Sequence, residues 1–208
     1  YKWRSGIKHD ASKVMELTKI NDTFYNGFNE EVDIEEKFIY PILKSSDINK
    51  SNIKPRKFVI ITQKYVGNNI YNIKEEEPKT WSYLIKYSEI LDNRKSIIYK
   101  KQSRFAIFGI GEYSFSPWKV AISGLYKNIN FCVIGMMGNK EIMLDDTCYF
   151  ISCNSKQEAE HICKALNSKI AKEYLESMIF YDSKRPIKVD ILKKLNINIL
   201  LKSYYQLI

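Results

Sequence analysis

Residues 105–127 read FAIFGIGEYSFSPWKVAISGLYK, with glycines, aromatics, serines and lysines interleaved inside an otherwise apolar, strand-like run. The run commits this part of the molecule to a sheet, because short apolar stretches bounded by glycine and proline read as strands. An ordinary core strand has no need of Tyr113, Phe115 and Trp118 alternating with Ser114, Ser116 and Lys119. The ribbon therefore reads as a contacting surface carried by the sheet.

Its neighbours extend the pattern. Strand candidates at 105–110, 119–125, 130–136 and 147–152 follow one another, with a turn signal at 138–140, and FVIIT at 58–62 is an earlier one. Connections this short favour a meander or mixed sheet. Pro78 introduces a helix with Thr80 as its expected cap and Trp81, Leu84, Ile85, Ser88 and Leu91 along one side. Ser155 and Glu158 form a capping box ahead of Ala159, Ile162, Cys163, Leu166 and Ile170; the helix is expected to continue through Leu175 and Met178, with a break signal at Asn167 and Ser168. Arg185-Pro186 ends that element and 190–195 makes a short last helix. A helix is also expected from Glu30 through Phe38, ending near Tyr40 because Pro41 disfavours helical geometry before it. The first fifty residues are otherwise irregular, with a turn-prone stretch at 5–10 and a short amphipathic one at 13–20. The expected architecture is one α+β domain: a mixed, largely antiparallel sheet with flanking helices, an extended N-terminal arm over 1–50 and a globular body over 51–208.

A chain of 208 residues that is 45% hydrophobic and 13% aromatic buries a substantial core, which excludes disorder as the default. Lys and Arg number 33 against 24 Asp and Glu, a formal charge of +9. Such an excess is what a polyanion-binding surface needs. No apolar run reaches the roughly 18 residues of a membrane span, and YKWRSGIKHD is not a signal peptide, so the expected location is the cytoplasm. Cys132, Cys148, Cys153 and Cys163 lack metal-site spacing and read as reduced thiols. The absence of an initiator methionine at Tyr1 suggests a piece of a longer protein.

Chemistry-bearing constellations are sparse. The glycines of Phe108-Gly109-Ile110-Gly111 resemble a cofactor turn, but Pro117 and a serine at 114 in place of a third glycine point instead to a tight bend or close backbone approach. His9 and His161 are too few for a metal ligand set, and His161 neighbours Cys163 in sequence only. A Mg-dependent nuclease built from Glu35, Lys37, Asp145 and Asp146 is one alternative, with a solvated turn and a helix surface as the plainer reading. A protein-interaction or specificity subunit is another.

Basic and polar residues cluster beside turns in a way that suits DNA: Arg4, Lys8 and His9; Lys44, Ser45 and Ser46; Arg94, Lys95 and Ser96; Tyr113, Ser114, Phe115, Trp118 and Lys119; Lys127; Lys184 and Arg185. Phosphates are held by Lys, Arg, Ser and backbone N–H groups, and base edges are read by Arg, Asn, Gln or Ser in a groove.

WRSGIKHDASKVMEL at 3–17, YPILKSSDI at 40–48, ITQKYVG at 61–67, LDNRKSIIY at 91–99, FGIGEYSFSPWKVAISGLYK at 108–127, LDDTCYF at 144–150 and FYDSKRPI at 180–187 together resemble the C-terminal target-recognition region of bacterial N6-adenine DNA methyltransferases, stand-alone type II enzymes and fused restriction-modification enzymes alike. The resemblance implies a lobe that grips double-stranded DNA and reads its sequence while a separate catalytic lobe, expected in the same polypeptide, binds S-adenosylmethionine and methylates a flipped adenine. That lobe's Asn-Pro-Pro-aromatic tetrad has no counterpart here, since the prolines at 41, 55, 78, 117 and 186 are all isolated. The expectation is a recognition domain with no cofactor or metal of its own. Within it, Lys8, Lys44, Ser45, Lys119 and Lys127 are expected to position phosphates, and Arg94, Tyr113, Ser114, Phe115, Trp118 and Arg185 to face the groove.

Overall fold

Strand alternation organises the molecule into two sheets that share a middle layer. A computed structural model describes residues 1–67, 72–100, 102–180 and 182–206; Tyr181 of the FYDSKRPI stretch lies outside them. The strands of the first part are β1 (Arg4–Ser5), β2 (Glu16–Ile20), β3 (Thr23–Tyr25), β4 (Glu31–Val32), β5 (Ile39–Leu43) and β6 (Lys57–Ile60). Those of the second part are β7 (Trp118–Ser123), β8 (Cys132–Ile134), β9 (Met136–Met137), β10 (Lys140–Glu141), β11 (Met143–Leu144) and β12 (Cys148–Cys153). A six-stranded sheet runs β11-β5-β6-β2-β3-β4, a four-stranded sheet runs β1-β12-β7-β8, and β9 and β10 pair as a hairpin. All named pairs are antiparallel except β5 with β11. The fold is α+β with a mixed, largely antiparallel sheet.

The four-stranded sheet is covered on both faces, which is why β7 reads as a nearly unbroken apolar run. Val120, Ile122, Tyr149, Ile151 and Cys153 pack under the C-terminal helices, while Ala121, Cys132, Ile134, Cys148 and Phe150 pack with Leu43 and Leu144 of the other sheet, Ile48 of the short helix Ser45–Asn49, and Ile142. A further core lies between the six-stranded sheet, the helices Pro78–Lys86 and Ser88–Asp92, and the segment 105–110.

The helices follow their caps. Ser155 accepts from the Glu158 N–H at 3.1 Å and opens Lys156–Leu166; Ser168 opens Lys169–Glu176 at the break signal, accepting from Ala171 at 3.4 Å. The new helix has its own phase, so Ile170 is 56% exposed instead of continuing the buried stripe. Pro78 is the first helical residue, as its fixed φ favours. Thr80 is not the cap: it lies inside the first turn, and Glu35, 45 residues away, accepts from the N–H groups of Lys79 and Thr80 at 3.1 and 2.8 Å.

Three other expectations are corrected. Glu30 to Phe38 forms no α-helix but β4 and a single 3-10 turn, and Pro41 sits within β5. Segment 105–110 is buried but is not a ladder strand: Lys8 and Phe108 exchange one pair of backbone bonds at 2.8 and 2.9 Å, while Gln63 and Thr62 side chains bond Ile107 and Phe105. The last helix is Ile197–Gln206, beyond the short Val189–Leu192. The first fifty residues supply β1 to the four-stranded sheet and β2 to β5 to the six-stranded one, with Val14, Met15 and Leu17 fully buried.

Candidate nucleic-acid interface

Segment 4–10 is the junction on which the distant motifs meet. Gly6 donates to Cys148 O at 3.0 Å, Ile7 to Leu144 O at 2.7 Å, and Lys8 pairs with Phe108. The Tyr99 hydroxyl donates to Lys8 O at 3.2 Å. Arg185 donates to Asp146 O and Oδ2, both at 3.2 Å, beside the Ile7–Asp145 bridge. The Ser45 hydroxyl closes the same corner on Thr147 O at 2.8 Å. Six of the sequence stretches quoted above thus meet at one architectural node.

The glycine turn belongs to that node. Gly109 has φ of +67° and its missing Cβ would stand 2.2 Å from Gly6 O. The turn then enters the 3-10 helix Glu112–Phe115, not an α-helix. With the Gly6 carbonyl filling that space, the turn does not fit a cofactor.

The predicted contact residues separate by environment. His9, Ser45, Arg94, Ser114 and Lys119 are buried, which removes them from a directly accessible surface. Arg94 is 7% exposed and donates to four carbonyls: Leu91 at 2.7 Å, His9 at 3.2 Å, Ala106 at 2.7 Å and Arg104 at 2.9 Å. Its guanidinium also stacks 3.8 Å from the centre of the Tyr99 ring. This arginine staples three segments and does not face a groove. Lys119 is 1% exposed, with Nζ donating to Ser116 O at 2.7 Å, and burial lowers its ammonium to about 8. Its expected phosphate contact is likewise closed off, because the β7 register turns it into the middle layer beside Ala121. Ser114 donates to Gly109 O at 3.4 Å.

Trp118 packs against the C-terminal core, and Phe115 meets Tyr40 edge-on at 5.6 Å. Phe115 also lines a cleft of about 500 Å³ with Phe38, Tyr40, Gln63 and Tyr65. Tyr113 is half-buried on Phe150 and carries Arg4 over its outer face at 4.3 Å. Lys8 pairs with Asp10 at 2.8 Å, and Lys44 with Glu16 at 2.7 Å. Ser46 and Ser96 are half-buried, whereas Lys95, Lys127 and Lys184 are exposed.

The nuclease constellation is not assembled. Glu35 precedes β5, whereas Asp145 follows β11, whose Leu144 lies opposite Leu43 at the far end of β5. Glu35 caps a helix, Lys37 pairs with Glu77 and Asp145 bonds Thr147. Among the described residues no group of three or more His, Cys, Asp or Glu is placed to hold a metal. Burial pushes the Cys153 thiol up to about 12 and Cys163 up to about 11, which makes neither a thiolate near neutral pH. Among the described residues no helix is long and apolar enough to cross a membrane.

Glu16 is not among the sequence-predicted contacts, although a carboxylate inside the apolar VMEL is itself a signal. It is 7% exposed and meets Lys44, His9 at 3.5 Å and Lys57 at 3.8 Å. Burial alone would raise its carboxyl; hydrogen bonds from His9 and Lys44 and the Lys44 charge outweigh it and hold the group down at about 2. Because the folded value lies below the ordinary one of 4.5, this stabilisation is present above that pH and is lost as pH falls toward about 2. Glu16→Gln is expected to lower the unfolding free energy measured with urea at neutral pH by about 3 kcal/mol at most and to flatten its fall between about pH 5 and 2. An unchanged acid limb in titrated melts contradicts this role.

No family profile matches the chain. It is 50% identical over 203 residues to the type II methyltransferase M.NspV of Nostoc sp., a match that takes in 97% of this chain and 42% of that enzyme. The chain thus spans less than half the length of this curated relative. Among solved structures, the type IIL restriction-modification enzyme MmeI, determined in complex with DNA, is similar at a TM-score of 0.49 and 11% identity, over 99% of this chain and 32% of that one.

Proposed function

We propose that this chain is the target-recognition part of a type II N6-adenine DNA methyltransferase, acting in the bacterial cytoplasm: it grips duplex DNA and selects its sequence, while S-adenosylmethionine and the transfer step belong to a catalytic part of the same polypeptide. The observation that carries the reading is the 50% identity to part of a type II methyltransferase across 97% of the chain. The isolated prolines, which form no Asn-Pro-Pro-aromatic tetrad in this sequence, support reading it as the recognition part. Adenine as the methylated base is what the family resemblance implies. The net charge of +9 supplies the sequence-independent attraction.

Exposed Lys95, Lys127 and Lys184 are the phosphate contacts of this reading, together with Lys8 and Arg185 of the junction. About six phosphate contacts give a log–log dependence of affinity on salt with slope near −5. Alanine at Lys95, Lys127 or Lys184 is expected to weaken all duplexes alike and to reduce that slope by about 1 each. Fluorescence anisotropy across a salt series checks it; an affinity indifferent to salt overturns the proposal. Incubation of the chain with DNA and S-adenosylmethionine is expected to yield no methylated base.

A further inference from the structure

The five arginines of the sequence differ in what their guanidinium groups hold. Arg56 is paired with Asp47, Arg104 with Asp92 and Arg185 with Asp146, and Arg94 is enclosed by carbonyls. Arg4 is the exception. Among the described residues no hydrogen bond or ion pair engages its guanidinium, which instead lies over the Tyr113 ring.

The ring beneath it is backed by the core. Tyr113 leans on Phe150 at 6.1 Å, and Phe150 is 2% exposed within the middle layer. Arg4 itself stands on β1, the edge strand of the four-stranded sheet, directly opposite Phe150 in the β1–β12 register. Its backbone and its guanidinium are therefore held by different segments, β1 and the turn that carries Tyr113. Gly6, two residues on, is wedged against Leu144 and Asp145 carbonyls, which prevents the strand from sliding. A guanidinium stacked on an aromatic ring keeps its N–H fork pointing outward in one plane, with little ordering left to lose on binding.

We infer that Arg4, held on Tyr113, reads a guanine of the bound duplex by donating to O6 and N7. The inference rests on the proposal that the chain binds DNA. A planar two-donor fork matches the O6/N7 edge of guanine in the major groove; it matches a phosphate as well, but on this reading the exposed lysines already hold the phosphates, which leaves the fork for a base. It also transfers the reading role from Arg94 and Arg185, whose donors are engaged within the protein, to an arginine whose donors are not.

The test begins with selection of bound duplexes from a random pool by the full chain. No enrichment and no salt-dependent binding overturns the DNA proposal, and this inference with it. With a selected site in hand, Arg4→Lys keeps the charge but loses the fork. It is expected to weaken that site roughly 10- to 100-fold while leaving scrambled DNA within about twofold. Replacing one guanine of the site by 7-deazaguanine, which lacks the N7 acceptor, is expected to weaken the unmodified protein and to have no further effect on the Arg4→Lys protein. Tyr113→Leu, which removes the platform, is expected to lose discrimination at the same base pair. Three results overturn the inference while leaving the DNA proposal standing: a selected site without a G·C pair, equal weakening of all duplexes by Arg4→Lys, or independent effects of the two changes. The 7-deazaguanine arm uses the unaltered protein, so it does not depend on how either variant folds.

Discussion

Replacing Arg94 by alanine is expected to destabilise the chain by about 3–5 kcal/mol, a large part of the roughly 5–15 kcal/mol that holds an ordinary domain together. The cause is the group it leaves behind. The Leu91, His9, Ala106 and Arg104 carbonyls all accept from this one guanidinium, and in its absence those in the interior have no replacement donor. Burial lowers the Arg94 guanidinium from its ordinary value, the desolvation cost that those carbonyls and the Tyr99 ring offset. Arg94→Lys is expected to rescue little, because one ammonium cannot reach carbonyls spread around a planar fork. Urea unfolding measures the loss. DNA affinity should fall in proportion to the unfolded fraction, with sequence preference unchanged among the folded molecules. Relaxed specificity at full stability would return Arg94 to the groove.

The second large effect is expected at the glycine junction. Gly109→Ala places a methyl group 2.2 Å from Gly6 O in a backbone of positive φ, and Gly6→Ala places one 2.1 Å from Asp145 O and 2.2 Å from Leu144 O. Neither neighbour is a flexible side-chain end, so the segments themselves must separate. Each substitution is expected to cost more than about 3 kcal/mol and to lower the melting temperature by roughly 10 °C or more for a chain of this size. Gly138→Ala isolates the cause: its φ is +61°, but nothing lies within 4 Å of the added carbon. It should cost only about 1 kcal/mol, the strain of the left-handed conformation alone. Calorimetric melts of the three variants separate strain from collision, and equal losses would refute the close-approach account.

Where local chemistry decided the outcome, the sequence was readable. The Ser155 cap, the Ser168 break, Pro78 at a helix start and the turn at Gly138 each depend on residues within one turn of the chain. The strands 118–123 and 148–153 announced themselves by length and composition. Segment 105–110 announced a strand in the same way and forms none, because Gln63 and Thr62 side chains bond its backbone carbonyls where a neighbouring strand would. Pro41 misled for a similar reason: it ended no helix because none begins there, and within β5 it lies opposite Phe58.

The sequence by itself determined the α+β class, the main strands and helix caps, and a surplus of positive charge. Those follow from periodicity and neighbouring side chains, which act over one turn or one pleat. Tertiary structure alone decided which cations remain outward. Lys44 meets Glu16 across 28 positions, Arg94 meets His9 across 85, and Lys119 is turned inward by the register of β7. A long charged side chain looks the same in sequence whether it faces water, a carboxylate or a ring. Its role is set by partners that only the closed fold brings within reach.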